Sequence, residues 1–244
     1  MIRMFRMIIH TTRRDVTVLD SDSRNEKDLL ILVGMAREND SPAKTLLSEN
    51  PDLTIVLIPV RDWNEELSPY PPGVSFPGSE SFLGHSDDLI DEIRTEILPV
   101  FADRNPYRHR ILGGYSLAGL FALECLRQDL GFDAYISCSG SLWYPDYLER
   151  FKASRFRKPK AVYLSLGNRE ANTRNPVFAS VGRETEALYE YLLKEAIPCT
   201  YVLNPGNHFQ DPTGRLLAGI HWVFDTLKAT NRYNRNTSER RKQP

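Results

Sequence analysis

The feature that most narrows the folds open to this chain is a pair of short runs, residues 29–33 and 53–59, in which apolar side chains follow one another instead of alternating with polar ones. A strand with one wet face alternates, so unbroken runs belong to strands covered on both faces, as in a parallel sheet held between helices. Downstream, strand-like and helix-like segments take turns over 110–113, 117–127, 134–138, 161–166, 180–195, 200–203 and 212–228. Such alternation predicts crossover units, and hence an α/β protein with a mostly parallel central sheet and helices on both faces. Segments 6–10 and 16–19 are candidates for antiparallel strands at one edge.

With 244 residues, 41% of them hydrophobic, the chain can bury one sizeable core, and a single domain over 1–230 is expected. Residues 231–244 are polar and basic, with Arg232, Arg235, Arg240, Arg241 and Lys242, and read as a disordered tail. Between 60 and 82 the composition shifts to Pro, Gly, Ser and aromatics, including Trp63, Tyr70, Pro71, Pro72, Phe76 and Pro77, which predicts a long loop. A loop of that length in a compact domain is often functional, although it can also be packed structure. Beyond it, Ser86-Asp87-Asp88 opens a helix whose apolar face is Leu89, Ile90, Ile93 and Ile97, with Pro99 bending or ending it.

A net charge of −1 gives no footing for a nucleic-acid surface over the folded body. No run approaches the roughly 20 apolar residues of a spanning helix, and residues 1–12 lack the pattern of a cleaved leader. A soluble cytoplasmic protein is therefore expected, with no membrane partner. Cys125, Cys138 and Cys199 are odd in number and lie in apolar segments, so neither a disulfide framework nor a metal-ligand spacing is expected.

The strongest local signal is Gly113-Gly114-Tyr115-Ser116-Leu117-Ala118-Gly119, where an apolar strand-like run meets a small-residue turn and then a helical pattern. In a nucleophile elbow the serine sits on a strained turn, so the residues two before and two after it must be small; here they are Gly114 and Ala118. The turn would carry Ser116 to the carboxyl end of the sheet and aim the Leu117 N–H into an oxyanion hole. The second donor would come from the loop after an earlier strand; Met35, following Gly34, is the candidate, unless that glycine merely ends its strand.

Serine needs a base to take its proton. His10 and His85 precede the elbow, His109 abuts its strand, and His221 lies on a late helix; only His208 follows a late strand, just ahead of Asp211-Pro212, a good helix start. The acid should fall between serine and histidine, after the strand over 161–166, and Glu170 is the first carboxylate there. An ion pair of Glu170 with Arg169 or Arg174 is the alternative, Glu184 and Glu186 lie further on in a helix, and Asp211 serves better as a cap.

Taken together, the elbow through Phe121-Ala122, Cys138-Ser139-Gly140-Ser141-Leu142-Trp143, Ser165-Leu166-Gly167-Asn168-Arg169-Glu170 and Gly206-Asn207-His208-Phe209 resemble the esterase family of α/β-hydrolases that takes in feruloyl and acetyl-xylan esterases, S-formylglutathione hydrolases and siderophore esterases. The likeness runs from Leu29 to the last helix. It implies an α/β-hydrolase fold and a serine triad carried onto Ser116, His208 and Glu170. Family members often show glycine rather than Gly206-Asn207 before the histidine, and aspartate is common where Asn168 or Glu170 stands; these departures bear on the acid, not on the serine. Arg61-Asp62-Trp63 and the proline-rich loop look like the family's pocket-forming segment, and Trp143 follows a strand end, where it serves the substrate pocket or the core. The stretch 139–160 is too short for a large cap domain.

The expected activity is hydrolysis of a small carboxylic ester through an acyl-enzyme, without metal or organic cofactor. Two rivals stay open: an acyltransferase on the same triad, and a non-catalytic binding module of the same fold. The residues specify neither the ester nor an oligomeric state.

Overall fold

The computed structural model describes residues 3–34, 41–102 and 107–240. Among the described residues eight strands form one sheet: β1 (Met4–His10), β2 (Asp15–Ser21), β3 (Asp28–Val33), β4 (Leu53–Ile58), β5 (Arg110–Tyr115), β6 (Ala134–Cys138), β7 (Ala161–Gly167) and β8 (Cys199–Asn204). Their order is β1-β2-β4-β3-β5-β6-β7-β8. β2 pairs antiparallel with both β1 and β4, and every other neighbouring pair is parallel.

The apolar runs explain the layering. Along β3, Leu29, Ile31 and Val33 face one core while Leu30 and Leu32 face the other; β4 divides Val56 and Ile58 from Leu53, Ile55 and Leu57 in the same way. The second face is covered by α1 (Ser41–Glu49), through Ala43, Leu46 and Leu47, and by the last helix, through Leu216, Ile220, Val223, Phe224 and Leu227. On the first face lie the helix of Ser86–Glu92, α4 (Leu117–Arg127), the helix of Tyr147–Ala153 and that of Val181–Lys194. The expected mostly parallel sheet with helices on both faces is thus the observed one, and only a seven-residue helix, with no cap domain, stands between β6 and β7.

Differences from expectation have local causes. The long loop contains a helix, α2 (Trp63–Leu67), whose N-cap Asp62 accepts from the N–H groups of Asn64 and Glu65, satisfying donors that a helix start leaves open. The helix α3 (Ser86–Glu92) gives way to a wider π turn at Ile93–Ile97, before Pro99, and then to a 3₁₀ turn at Leu98–Phe101. Helices α5 (Tyr147–Ala153), α6 (Pro176–Ala179) and α7 (Val181–Lys194) precede α8 (Pro212–Arg240). The segment expected to be a disordered tail from Asn231 therefore continues as helix to Arg240. Once a helix is nucleated against a core, each further residue adds a hydrogen bond, and propagation costs little. Among the described residues no helix is long and apolar enough to cross a membrane. The three cysteines are free thiols, with Cys125 and Cys138 buried.

Candidate active site

Ser116 occupies the single residue between β5 and α4, with φ 61° and ψ −125°, a conformation rarely held by a residue with a side chain. The turn is tight enough that a Cβ on Gly114 would lie 2.4 Å from the Ala118 carbonyl oxygen, so the small residue two before the serine is a steric requirement. β6 and the loop after it fix the turn further: Ser116 N–H donates to Cys138 O (2.9 Å), and Ser141 N–H donates to Ser116 O (3.1 Å). Leu117 is the first residue of α4, and an N–H at that position has no acceptor within its helix.

Three side chains from distant segments meet here. His208 Nε2 stands 2.9 Å from Ser116 Oγ, and His208 Nδ1 stands 2.7 Å from Glu170 Oε2. Burial raises the Glu170 pKa, but the hydrogen bonds from His208, Gly167 N–H and Ser139, with the attraction of His208, outweigh it and hold the carboxyl below its usual range. An ionised carboxylate can only accept, so Nδ1 carries the imidazole proton and Nε2 presents its lone pair to the serine hydroxyl. Ser116 is half-buried and the His208 side chain 30% exposed, so a small molecule can reach both, whereas the Glu170 side chain is 4% exposed.

Glu170 Oε1 is occupied on its other sides by Gly167 N–H (2.6 Å), the Ser139 hydroxyl (2.8 Å) and Arg215 Nη1 (3.0 Å). The cation paired with Glu170 is thus Arg215, not Arg169 or Arg174; Arg169 Nη2 reaches Gln210 Oε1 instead (3.0 Å). The Tyr115 hydroxyl donates to His208 O at 2.7 Å. Asp211 caps α8, its Oδ1 accepting from Gly214 N–H (3.0 Å), and His221 is an exposed residue of that helix.

The expected pocket residues divide. Trp63 lies beside the elbow: a Cβ built on Gly34 would meet its ring at 2.7 Å and Ala118 Cβ at 3.4 Å, and the indole is 39% exposed. Trp143 packs edge-on against Phe178 (4.7 Å between ring centroids) and Phe76 (5.7 Å), and lines a cavity of about 490 Å³ with Val74, Tyr144, Val177 and Arg183. Arg61 turns away to Glu66, giving it Nε (2.9 Å) and its own N–H (3.2 Å), at a separate polar hollow with Arg13 and Arg14. Met35 lies outside the described residues. Among the described residues no cluster of His, Cys, Asp or Glu could hold a metal ion.

Sequence reasoning missed Arg215, Ser139, Tyr115 and Phe209. Phe209 is 84% exposed and stacks edge-on against the His208 ring at 5.2 Å; its place next to the histidine was the one available signal.

A mostly parallel sheet flanked by helices, with a serine on a strained turn after a central strand and a histidine after the last strand, defines the α/β-hydrolase fold. Solved structures share it. The chain is similar to an IroE-like serine hydrolase from Shewanella oneidensis, with 19% identity over 91% of this chain and 80% of that one and a TM-score of 0.73. It is likewise similar to the siderophore hydrolase EstA from Aspergillus nidulans (19% identity, 91% and 93% covered, TM-score 0.66). A third is the enterobactin esterase FES from Shigella flexneri in the presence of 2,3-di-hydroxy-N-benzoyl-serine (21% identity, 93% and 60% covered, TM-score 0.66). At these identities the likeness is one of fold. No protein-family model matches the sequence, and no curated protein matches it.

Proposed function

We propose that the protein is a serine esterase that cleaves carboxylic esters through an acyl-enzyme. The observation that carries this reading is the unbroken chain Ser116 Oγ, His208, Glu170, with 2.9 and 2.7 Å links and a reachable serine. His208 Nε2 takes the hydroxyl proton as Oγ attacks the ester carbonyl. The oxyanion gathers on the Leu117 N–H, with Met35 N–H assigned as second donor from its place after Gly34. As the tetrahedral intermediate collapses, His208 returns the proton to the departing alcohol; water, activated by the same imidazole, then releases the acid. Glu170 stays ionised and holds the imidazole in the required tautomer. The fold neighbours named for siderophore and enterobactin cleavage support ester substrates, and the exposed ring of Trp63 beside the elbow suits an apolar or aromatic acyl or alcohol group. A cytoplasmic location, where free thiols stay reduced, belongs to the same proposal.

A fluorophosphonate probe and a panel of chromogenic esters test it. Wild type is expected to label and turn over, and Ser116→Ala to lose labelling and about four orders of magnitude in kcat. Wild type labelling no more than Ser116→Ala would establish a binding module instead. Products formed with an added alcohol acceptor separate hydrolysis from acyl transfer.

A further inference from the structure

We propose that Arg215 is the positioning residue of the site, a buried guanidinium that locks the Glu170 carboxylate and the His208 loop into one unit. The role rests on the esterase reading above. Arg215 projects from the first turn of α8 with only 3% of its side chain exposed. A buried cation is costly unless its donors are used, and this one spends them on the site. Nη1 lies 3.0 Å from Glu170 Oε1, 3.0 Å from Ser139 Oγ and 3.2 Å from the Tyr115 hydroxyl. Nη2 donates to the carbonyls of Pro205 and Asn207, both at 3.0 Å.

Two constraints follow. With Arg215, Ser139 and Gly167 saturating Oε1, Glu170 has Oε2 alone for His208, which fixes the carboxylate plane. The loop before His208 turns at Gly206, at φ 100°, where the backbone has most freedom; Arg215 ties down the carbonyls on both sides of it. His208 is then held by its ring through Glu170 and by its own carbonyl through the Tyr115 hydroxyl, and both anchors end on the same nitrogen. A fork suits this: the carboxylate meets Nη1 and the two carbonyls meet Nη2, two places that the one nitrogen of a lysine cannot occupy together.

The test compares wild type, Arg215→Gln and Arg215→Lys in steady-state hydrolysis of a p-nitrophenyl ester, in fluorophosphonate labelling and in circular dichroism. For folded Arg215→Gln, kcat is expected to fall about 100-fold with KM nearly unchanged. Its acidic limb in kcat/KM should move to higher pH, because Glu170 then stabilises the His208 cation without a competing charge. The titratable and charged groups around this loop are Glu170, Tyr115, Arg215 and Arg169, with Asp211 at its end turned to Gly214 N–H. Arg215→Lys keeps the charge and loses the fork, so kcat falls about 10-fold with the limb in place. A folded Arg215→Gln with wild-type kcat and an unmoved limb overturns the role. Should that variant not fold, full kcat in Arg215→Lys overturns it. A wild type that neither turns over nor labels beyond Ser116→Ala overturns the esterase reading, and this role with it, a result distinct from an active wild type indifferent to Arg215.

Discussion

Ser116 shows how much a site can rest on the absence of a side chain nearby. Its positive φ is held because α4 begins immediately and Gly114 leaves room beneath the Ala118 carbonyl. Gly114→Ala would place a methyl 2.4 Å from a backbone oxygen that has no rotamer to escape by. The variant is expected to lose about 2 kcal/mol in a urea titration and to label poorly with fluorophosphonate even where folded. Requirements of this kind are local, and that is why the placement of Ser116, Leu117, His208 and Glu170 was legible: each follows a strand or opens a helix in a recognisable order. Arg215, Ser139 and Tyr115 were not, because what they do depends on partners up to 100 positions away and no short pattern announces it. Arg61 is the converse. The family resemblance placed it in a pocket-forming segment, but a carboxylate five positions on pairs with it.

At the scale of elements, β3 to β8 could be read from apolar runs, whereas α2 could not. Five residues are too few to nucleate a helix alone. This one is held by its cap, by burial of Leu67 and by Glu66, which accepts from Arg14 Nη1 at 2.7 Å across 52 positions. Arg14 also reaches Glu92 of α3 (2.9 Å) and the Pro59 carbonyl (2.9 Å), so one guanidinium ties the first hairpin to both helices. Burial raises the Glu66 pKa, but the hydrogen bonds from Arg14 and Arg61 outweigh it and leave the carboxyl below its usual range. A depressed folded-state pKa means stabilisation that is present above the unfolded value, about 4.3, and lost as pH falls through the folded one. Glu66→Gln should therefore cost roughly 2 kcal/mol near neutrality, and the gap from wild type should narrow as pH falls below that unfolded value. Urea midpoints across that range check both.

The whole molecule is needed to make the site. The serine follows β5, the carboxylate follows β7 and the histidine follows β8, so the three meet only when the pairs β5-β6, β6-β7 and β7-β8 are all in register. Loss of ester turnover in urea is accordingly expected to superimpose on loss of far-UV circular dichroism; activity fading well ahead of the sheet would place the site on a separately unfolding unit. The 92 positions between Ser116 and His208 also impose an order on synthesis. At ribosomal rates of roughly 5–20 residues per second, the hydroxyl is made roughly 5 to 18 seconds before its partner exists. Throughout that interval it is an ordinary alcohol, and a nascent polypeptide cannot be acylated by whatever esters surround it until its final strand and helix have been translated.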